Sequence, residues 1–184
     1  SIGQNKIWWI TEDEAGLLWL GTSSGGLVRF DPETGKAKTY RHAPDNPQSI
    51  SHNRVRHITP APGGILWIGT NTGLNRFDSA TETFTHWEHV ADSPQSLSNN
   101  RVTPILVEPS GMLWVGTDAG LNRFNPQSGR FQRITTSDGL QNDGIQGLLR
   151  DNAGNLWCST FRGLVRYTPS TGEVRNRSEE RRAG

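Results

Sequence analysis

Apolar and polar positions along this chain alternate in short runs of about five residues, the usual length of a strand, and turn residues separate the runs. The stretch 55–96 shows the pattern most clearly. Val55–Pro60, Ile65–Thr70, Gly73–Asp78 and Thr83–Glu88 each read as a strand. Ala61-Pro62-Gly63-Gly64, Asn71-Thr72 and Ser79–Glu82 read as the turns between them, and His89–Ser96 as a polar loop leading onward. Nowhere do apolar residues recur with the 3.6-residue period of a helix.

The same stretch recurs. Leu18-Trp19-Leu20-Gly21-Thr22 is repeated as Leu66-Trp67-Ile68-Gly69-Thr70, as Leu113-Trp114-Val115-Gly116-Thr117 and, degraded, as Leu156-Trp157-Cys158-Ser159-Thr160. Each copy is followed by Gly-Leu and then a basic–aromatic pair, at Arg29-Phe30, Arg76-Phe77, Arg123-Phe124 and Arg166-Tyr167. Upstream, Ser1–Asn5 matches Ser49–Asn53 and Ser96–Asn100, and more weakly Gly139–Asp143. The units are 1–48, 49–95, 96–138 and 139–177, with a polar tail at 178–184. Tandem four-stranded units of about 40–50 residues predict an all-β fold, a β-propeller of four-stranded antiparallel blades, four of them forming one domain over 1–177. A solenoid would need a helix or a single strand per coil. Trp19, Trp67, Trp114 and Trp157 are expected to wedge between blades, since large rings at a fixed place in every copy serve packing. Asp31-Pro32, Asn125-Pro126 and Thr168-Pro169 open the last hairpin of three units, and Gly35, Gly129 and Gly172 are expected to close it at positive φ.

Composition adds limits. Only 32% of the 184 residues are hydrophobic, yet there are 7 Trp and 21 Gly, which suits short strands, tight turns and a few large anchors. A net charge of +1 and the lack of a long basic face argue against a nucleic-acid surface. The charged segment Arg175–Arg182 reads as a solvated end. No apolar run approaches the length of a membrane span. One cysteine, Cys158, offers neither an internal disulfide nor a metal pair.

The Leu-Trp-[Ile/Leu/Val]-Gly-Thr core, the Gly-Leu-x-Arg-Phe strand after it and the Ser-Leu-Ser-x-Asn-x-Val segment before it resemble the two-component regulator propeller repeat. The resemblance covers residues 1–177. It implies the periplasmic sensor part of a bacterial hybrid histidine kinase or related signalling protein, without the kinase modules themselves. Some sensors of that family recognise oligosaccharides. Family propellers usually have more than four blades, so the chain is expected to have two uncovered flanks, one on its first blade and one on its last. Closure as a small ring, self-association of two chains into a larger ring, and further blades are the three solutions, with a dimer favoured. The phase of the repeats, beginning at a unit boundary and ending near the next, is that of a cut at blade edges.

Ligands of propellers meet the mouth of the central channel, and positions that vary among matching copies are where recognition can be placed. The turns between second and third strands supply Ser23-Ser24, Asn71-Thr72, Asp118-Ala119 and Phe161-Arg162. The segments entering the inner strands supply Asn5-Lys6, Asn53-Arg54, Asn100-Arg101 and Asp143. Trp8, Arg54, Asn71, Arg101, Asp118, Phe161 and Arg162 are the candidate ligand-binding residues. Arg54 and Arg101 suit a two-point contact with a carboxylate or sulfate, or are plain surface charge. Asn5, Asn53 and Asn100 read better as local turn caps. Of Trp8 and Trp9, one should face the channel and one the blade. The channel-facing ring either stacks on a sugar or fills the channel.

Catalysis is not expected. No nucleophile elbow or phosphate loop is present. Glu12-Asp13-Glu14 reads as solvated charge in a hairpin. His86 and His89 fall on opposite strand faces, poor joint metal ligands. His57 reads as a satisfied structural histidine, and no metal or cofactor is implied. The expected role is a non-catalytic sensor for a polar extracellular ligand such as an oligosaccharide, or else an interaction scaffold with no small-molecule ligand. A lyase or glycosidase would need Asp118, Asp143 and a His within hydrogen-bond reach of one another.

Overall fold

A computed structural model describes residues 6–177. The Asn5 cap and the tail from 178 onward lie outside them. Sixteen strands form four separate four-stranded antiparallel sheets, each in simple sequence order. They are β1 (Ile7–Glu12) to β4 (Ala37–Tyr40), β5 (Val55–Ala61) to β8 (Thr83–Trp87), β9 (Val102–Val107) to β12 (Arg130–Ile134), and β13 (Ile145–Arg150) to β16 (Glu173–Arg177). The inner strands β1, β5, β9 and β13 lie against one another in succession. The sheets therefore radiate from a common hub as propeller blades. One 3-10 turn, Thr136–Asp138, capped by Thr135, interrupts the connection between the third and fourth blades.

Three apolar clusters hold the blades together, one per junction. At the first, Trp19, Leu27 and Tyr40 of one blade meet Ile58, Phe77 and Phe84 of the next. Trp67 and Leu74 repeat the arrangement against Ile105, Phe124 and Phe131, and Trp114 and Leu121 against Leu148, Val165 and Tyr167. Every blade thus has a leading face of aliphatics and Phe or Tyr, and a trailing face built on Trp and Leu. Trp157 departs from the expected core role. It is half-buried, because among the described residues no further blade packs on its trailing face. Leu164 beside it is 40% exposed, whereas its counterparts Leu27, Leu74 and Leu121 are fully buried. On the opposite flank Ile10 is 60% exposed against 1% for Ile58.

The Trp indoles carry a second constraint that the strand pattern does not show. Asp13, Glu108 and Asp151 in the first hairpin of their blades accept the indole N–H of Trp19, Trp114 and Trp157 at 2.7, 2.8 and 2.8 Å. Asp13 is therefore not merely solvated charge; it also accepts two backbone N–H groups of its own turn. Bonds from Asn155 and then Trp157 hold the Asp151 carboxyl down at about 2.

The closing turns behave as their glycines require, with φ of 67°, 68° and 73° at Gly35, Gly129 and Gly172. The second blade places Glu82 there instead, at φ 54°. That conformation costs a side-chain-bearing residue about 1 kcal/mol or more. Glu82 in return reaches across to the first blade, bonding Tyr40 Oη at 2.9 Å, pairing with Lys38 and lying 3.4 Å from Arg29.

The polar connections are also locked. Ser51 and Ser98 bond buried Asn75 and Asn122 of their own blades and share a hydroxyl contact with Thr70 and Thr117. Asn53 and Asn100 are structural as read, but their bonds are not local. Each accepts from the backbone N–H of His42 or His89, eleven residues back, and so closes the whole connection.

Candidate functional site

The channel mouth is built by one irregularity repeated four times. The pairing of each inner strand with its neighbour slips near its start, between Ile7 and Trp9, Val55 and His57, Val102 and Ile105 (opposite Thr117 and Val115), and Ile145 and Gly147. A bulge leaves one residue out of the ladder and re-aims it. The residues so released are Trp8, Arg56, Gln146 and, together with Pro104, Thr103: an indole, a guanidinium, an amide and a hydroxyl at equivalent places in four blades. The surrounding strands keep their pairing, so this position varies in chemistry without disturbing the frame.

Trp8 and Trp9 divide as expected. Trp9 turns to the second blade, donating from Nε1 to the Ile58 carbonyl at 2.8 Å and packing on His57 at 3.9 Å between ring centroids. Trp8 stays 38% exposed at the mouth. Its ring is not a bare platform, however. The guanidinium carbons of Arg54 and Arg56 lie 5.5 and 5.2 Å from its centroid, within cation–π range.

The charged residues converge from two blades. Arg54 donates to the Ser23 carbonyl of the first blade at 3.2 Å, and Arg56 donates to Asn71 Oδ1 at 2.5 Å. Arg101 and Asp118 pair at 2.9 Å. Burial, and then the positive charges of Arg101 and Arg54, hold the Arg56 guanidinium below its ordinary value. Arg54 and Arg56 form no ion pair among the described residues, so the mouth carries uncompensated positive charge. Four shielded polar atoms there have no hydrogen-bond partner: Arg101 Nε, Asp118 Oδ1, Thr103 Oγ1 and Gln146 Nε2. Such groups cost free energy unless something satisfies them.

Of the residues singled out in the sequence, Trp8, Arg54, Asn71, Arg101 and Asp118 thus belong to one connected set of contacts and charges. Phe161 and Arg162 sit on the fourth blade's turn at the same end. Phe161 lies over the Gly144 backbone and is 68% exposed, while the Arg162 carbonyl accepts from Gln141. Arg56, Thr103 and Gln146 were missed. Their signal was present, because they occupy the repeat position of Trp8, but only the bulge shows that this position faces the mouth.

The remaining chemistry is structural. Asp143 is taken up by the Thr136 backbone N–H at 2.6 Å and its hydroxyl. Burial pushes the Cys158 thiol up to about 12, far from a nucleophile's range. His86 lies 3.9 Å from Glu88, and His89 faces the Leu97 carbonyl at 2.8 Å. Among the described residues no three His, Cys, Asp or Glu side chains gather as a metal site, and no helix is long and apolar enough to cross a membrane.

His57 yields a pH prediction. Burial against Trp9 pulls its imidazole down from 6.5 to about 4. The folded state favours the neutral ring, so this stabilisation is complete above pH 6.5 and is lost as pH falls through 4. The urea midpoint is expected to drop between pH 6.5 and 4 by an amount worth on the order of 2–3 kcal/mol. The drop should be smaller in His57→Gln; equal drops would place the acid sensitivity elsewhere.

Residues 7–144 match the SMP-30/Gluconolactonase/LRE-like region family, and residues 139–162 match the two component regulator propeller family. No curated protein matches the sequence. Among solved structures, the extracellular domain of the putative hybrid two component system BT3049 from B. thetaiotaomicron is similar, at 26% identity and a TM-score of 0.84 over 95% of this chain. The extracellular domain of the putative one component system BT4673 from the same organism matches at 29% identity and a TM-score of 0.82 over 98%. This chain spans about a quarter of each, 25% and 26% of their lengths. Virginiamycin B lyase from Staphylococcus aureus, at 16% identity and a TM-score of 0.70, shares the fold over 95% of this chain and 56% of its own.

Proposed function

This chain belongs to the SMP-30/Gluconolactonase/LRE-like family, and its residues 139–162 match the two component regulator propeller; from the second match and the likeness to extracellular regulatory domains we propose that it is a non-catalytic, ligand-binding part of an extracytoplasmic bacterial sensor, taking a polar molecule such as an oligosaccharide at the channel mouth. The observation that carries this reading is the fourfold bulge. One position in each blade is lifted out of the ladder and given to the mouth, and it holds a different functional group each time. A site assembled from guanidinium, amide, hydroxyl and indole groups supplies many directional contacts to a polyhydroxylated ligand. It supplies no paired acid and base. Asp118 is engaged by Arg101, Asp143 by Thr136, and His52 by the Arg54 backbone N–H. The similarity to extracellular domains of B. thetaiotaomicron regulatory systems supports the extracytoplasmic sensor assignment, the periplasm being the compartment we propose.

Calorimetric titration with oligosaccharides released from polysaccharides tests the reading. A one-to-one complex is expected, weakened about tenfold or more by Arg101→Ala, which removes a charge-assisted donor. Absence of heat with every saccharide counts against it.

A second reading, an interaction scaffold, has its own support in the uncovered apolar side chains Leu149 and Leu164 of the fourth blade and Ile7 and Ile10 of the first. It expects concentration-dependent self-association in sedimentation velocity, abolished by Leu149→Glu with Leu164→Glu, and no saccharide binding.

A further inference from the structure

We infer that the ligand carries an anionic group, a carboxylate or sulfate ester on a saccharide, held by Arg54, Arg56 and Arg101, with Trp8 acting as the seat that positions two of these guanidinia rather than as a sugar platform. This rests on the saccharide reading above and specifies its chemistry.

Three observations support it. First, three guanidinia from the second and third blades stand near one carboxylate, Asp118, which pairs with Arg101 and offsets the charge on Arg56 less than Arg101 and Arg54 add to it. The excess charge is retained although Arg56 pays for it: its guanidinium is held down by burial and by its two positive neighbours. A bound anion would relieve this mutual repulsion, and a planar guanidinium fork is matched to a carboxylate or sulfate. Second, both Trp8-facing cations sit on the ring at 5.5 and 5.2 Å. An indole whose face receives guanidinia is less available to a sugar ring, while the guanidinia lose rotamer freedom before any ligand arrives. Third, Arg101 Nε is unbonded although shielded from water. A small turn of the guanidinium would give that donor to an anion's oxygen and relieve the cost of leaving it unpaired.

The test is calorimetry on the full chain with three matched disaccharides, one neutral, one bearing a uronate and one bearing a sulfate ester, together with sodium sulfate alone. It is run on the unaltered chain, Arg56→Gln, the exposed Arg54→Gln, Trp8→Ala and, as a control on an outer strand, Arg130→Gln. At least one charged disaccharide is expected to bind about tenfold or more tightly than the neutral one, with affinity falling as salt rises. Arg56→Gln and Arg54→Gln should erase most of that preference, and Arg130→Gln should not. Which charged disaccharide is preferred identifies the source of the anion. Trp8→Ala should weaken the charged ligand and leave the neutral one unchanged. An equal loss for both makes Trp8 a stacking platform and overturns its positioning role. Equal affinity for charged and neutral disaccharides overturns the anion specificity while leaving saccharide recognition intact. Sodium sulfate binding as tightly as the sulfated disaccharide reduces the site to one for inorganic anions. No disaccharide binding at all removes both readings together.

Discussion

Trp114→Ala is expected to destabilise the chain by about 3–5 kcal/mol, and Trp157→Ala, the same change one blade later, by less than half as much. The indoles are chemically alike at the outset. Both start the second strand of a blade, and both donate to a hairpin carboxylate at 2.8 Å. What differs is the neighbour. Trp114 is 1% exposed in the junction of the third and fourth blades, 5.6 Å from the Tyr167 ring and edge-on to it. Its removal empties a volume that two rigid sheets cannot close. It also strips an indole donor from Glu108, whose side chain is only 10% exposed and lies near Arg123 and Arg150. Trp157 looks out on an uncovered face, so truncation there replaces indole with solvent and leaves no sealed cavity. Urea unfolding followed by circular dichroism reads both values. Equal losses would mean that the indole–carboxylate bond, not interblade packing, is what the tryptophan supplies. The comparison isolates an interface term, because stacked repeats draw their stability from the units and from the contacts between neighbours.

Gly73→Ala is expected to cost about 3 kcal/mol or more, while Gly172→Ala should cost about 1 kcal/mol. Both glycines have positive φ, 91° and 73°, so both alanines carry the backbone penalty. Only Gly73 is also enclosed. A Cβ there would lie 2.3 Å from the Trp87 carbonyl oxygen, a backbone atom with little room to yield. Moving Gly73 away would in turn break the bond from its N–H to the Asn100 carbonyl of the next blade, 2.7 Å long. At Gly172 nothing lies within 4 Å of the added atom. For a chain of this size the difference should appear as a Tm lower by roughly 6–12 °C against 2–4 °C, read by differential scanning calorimetry. Similar shifts would show that positive φ alone sets the requirement and that the turn's approach to the outer strand is soft.

Much of this architecture is legible in the chain because its causes are local. The strands expected over 55–88 differ from β5 to β8 by at most one residue at any end. Period-two alternation and turn residues act over four to eight positions, within reach of a sequence pattern. The closing glycines follow for the same reason: a tight turn with positive φ names its own residue. The exception, Glu82, shows where that logic stops. Its strained backbone has no local cause, since the groups it pairs with, Arg29, Lys38 and Tyr40, belong to another blade.

The site divides along the same line. Variation among matching copies pointed to the mouth and named Trp8, Arg54, Asn71, Arg101 and Asp118, which the fold brings into one set of contacts and charges. It passed over Arg56, which shares Trp8's place in the repeat, because counting alternate residues along a strand does not reveal a bulge. It also offered Trp8 to a sugar, because nothing nearby in the chain says that two arginines nearly fifty residues away approach its ring. The sequence by itself determined the blades, their order and the three buried wedges Trp19, Trp67 and Trp114, all products of short-range alternation and repetition. Only the tertiary structure decided which side chains share the mouth, which carboxylates hold the indoles and which faces stay open. Those depend on sheets packed radially around a hub, where residues far apart in the chain meet, and on a slip in pairing that turns one side chain per blade out of its ladder.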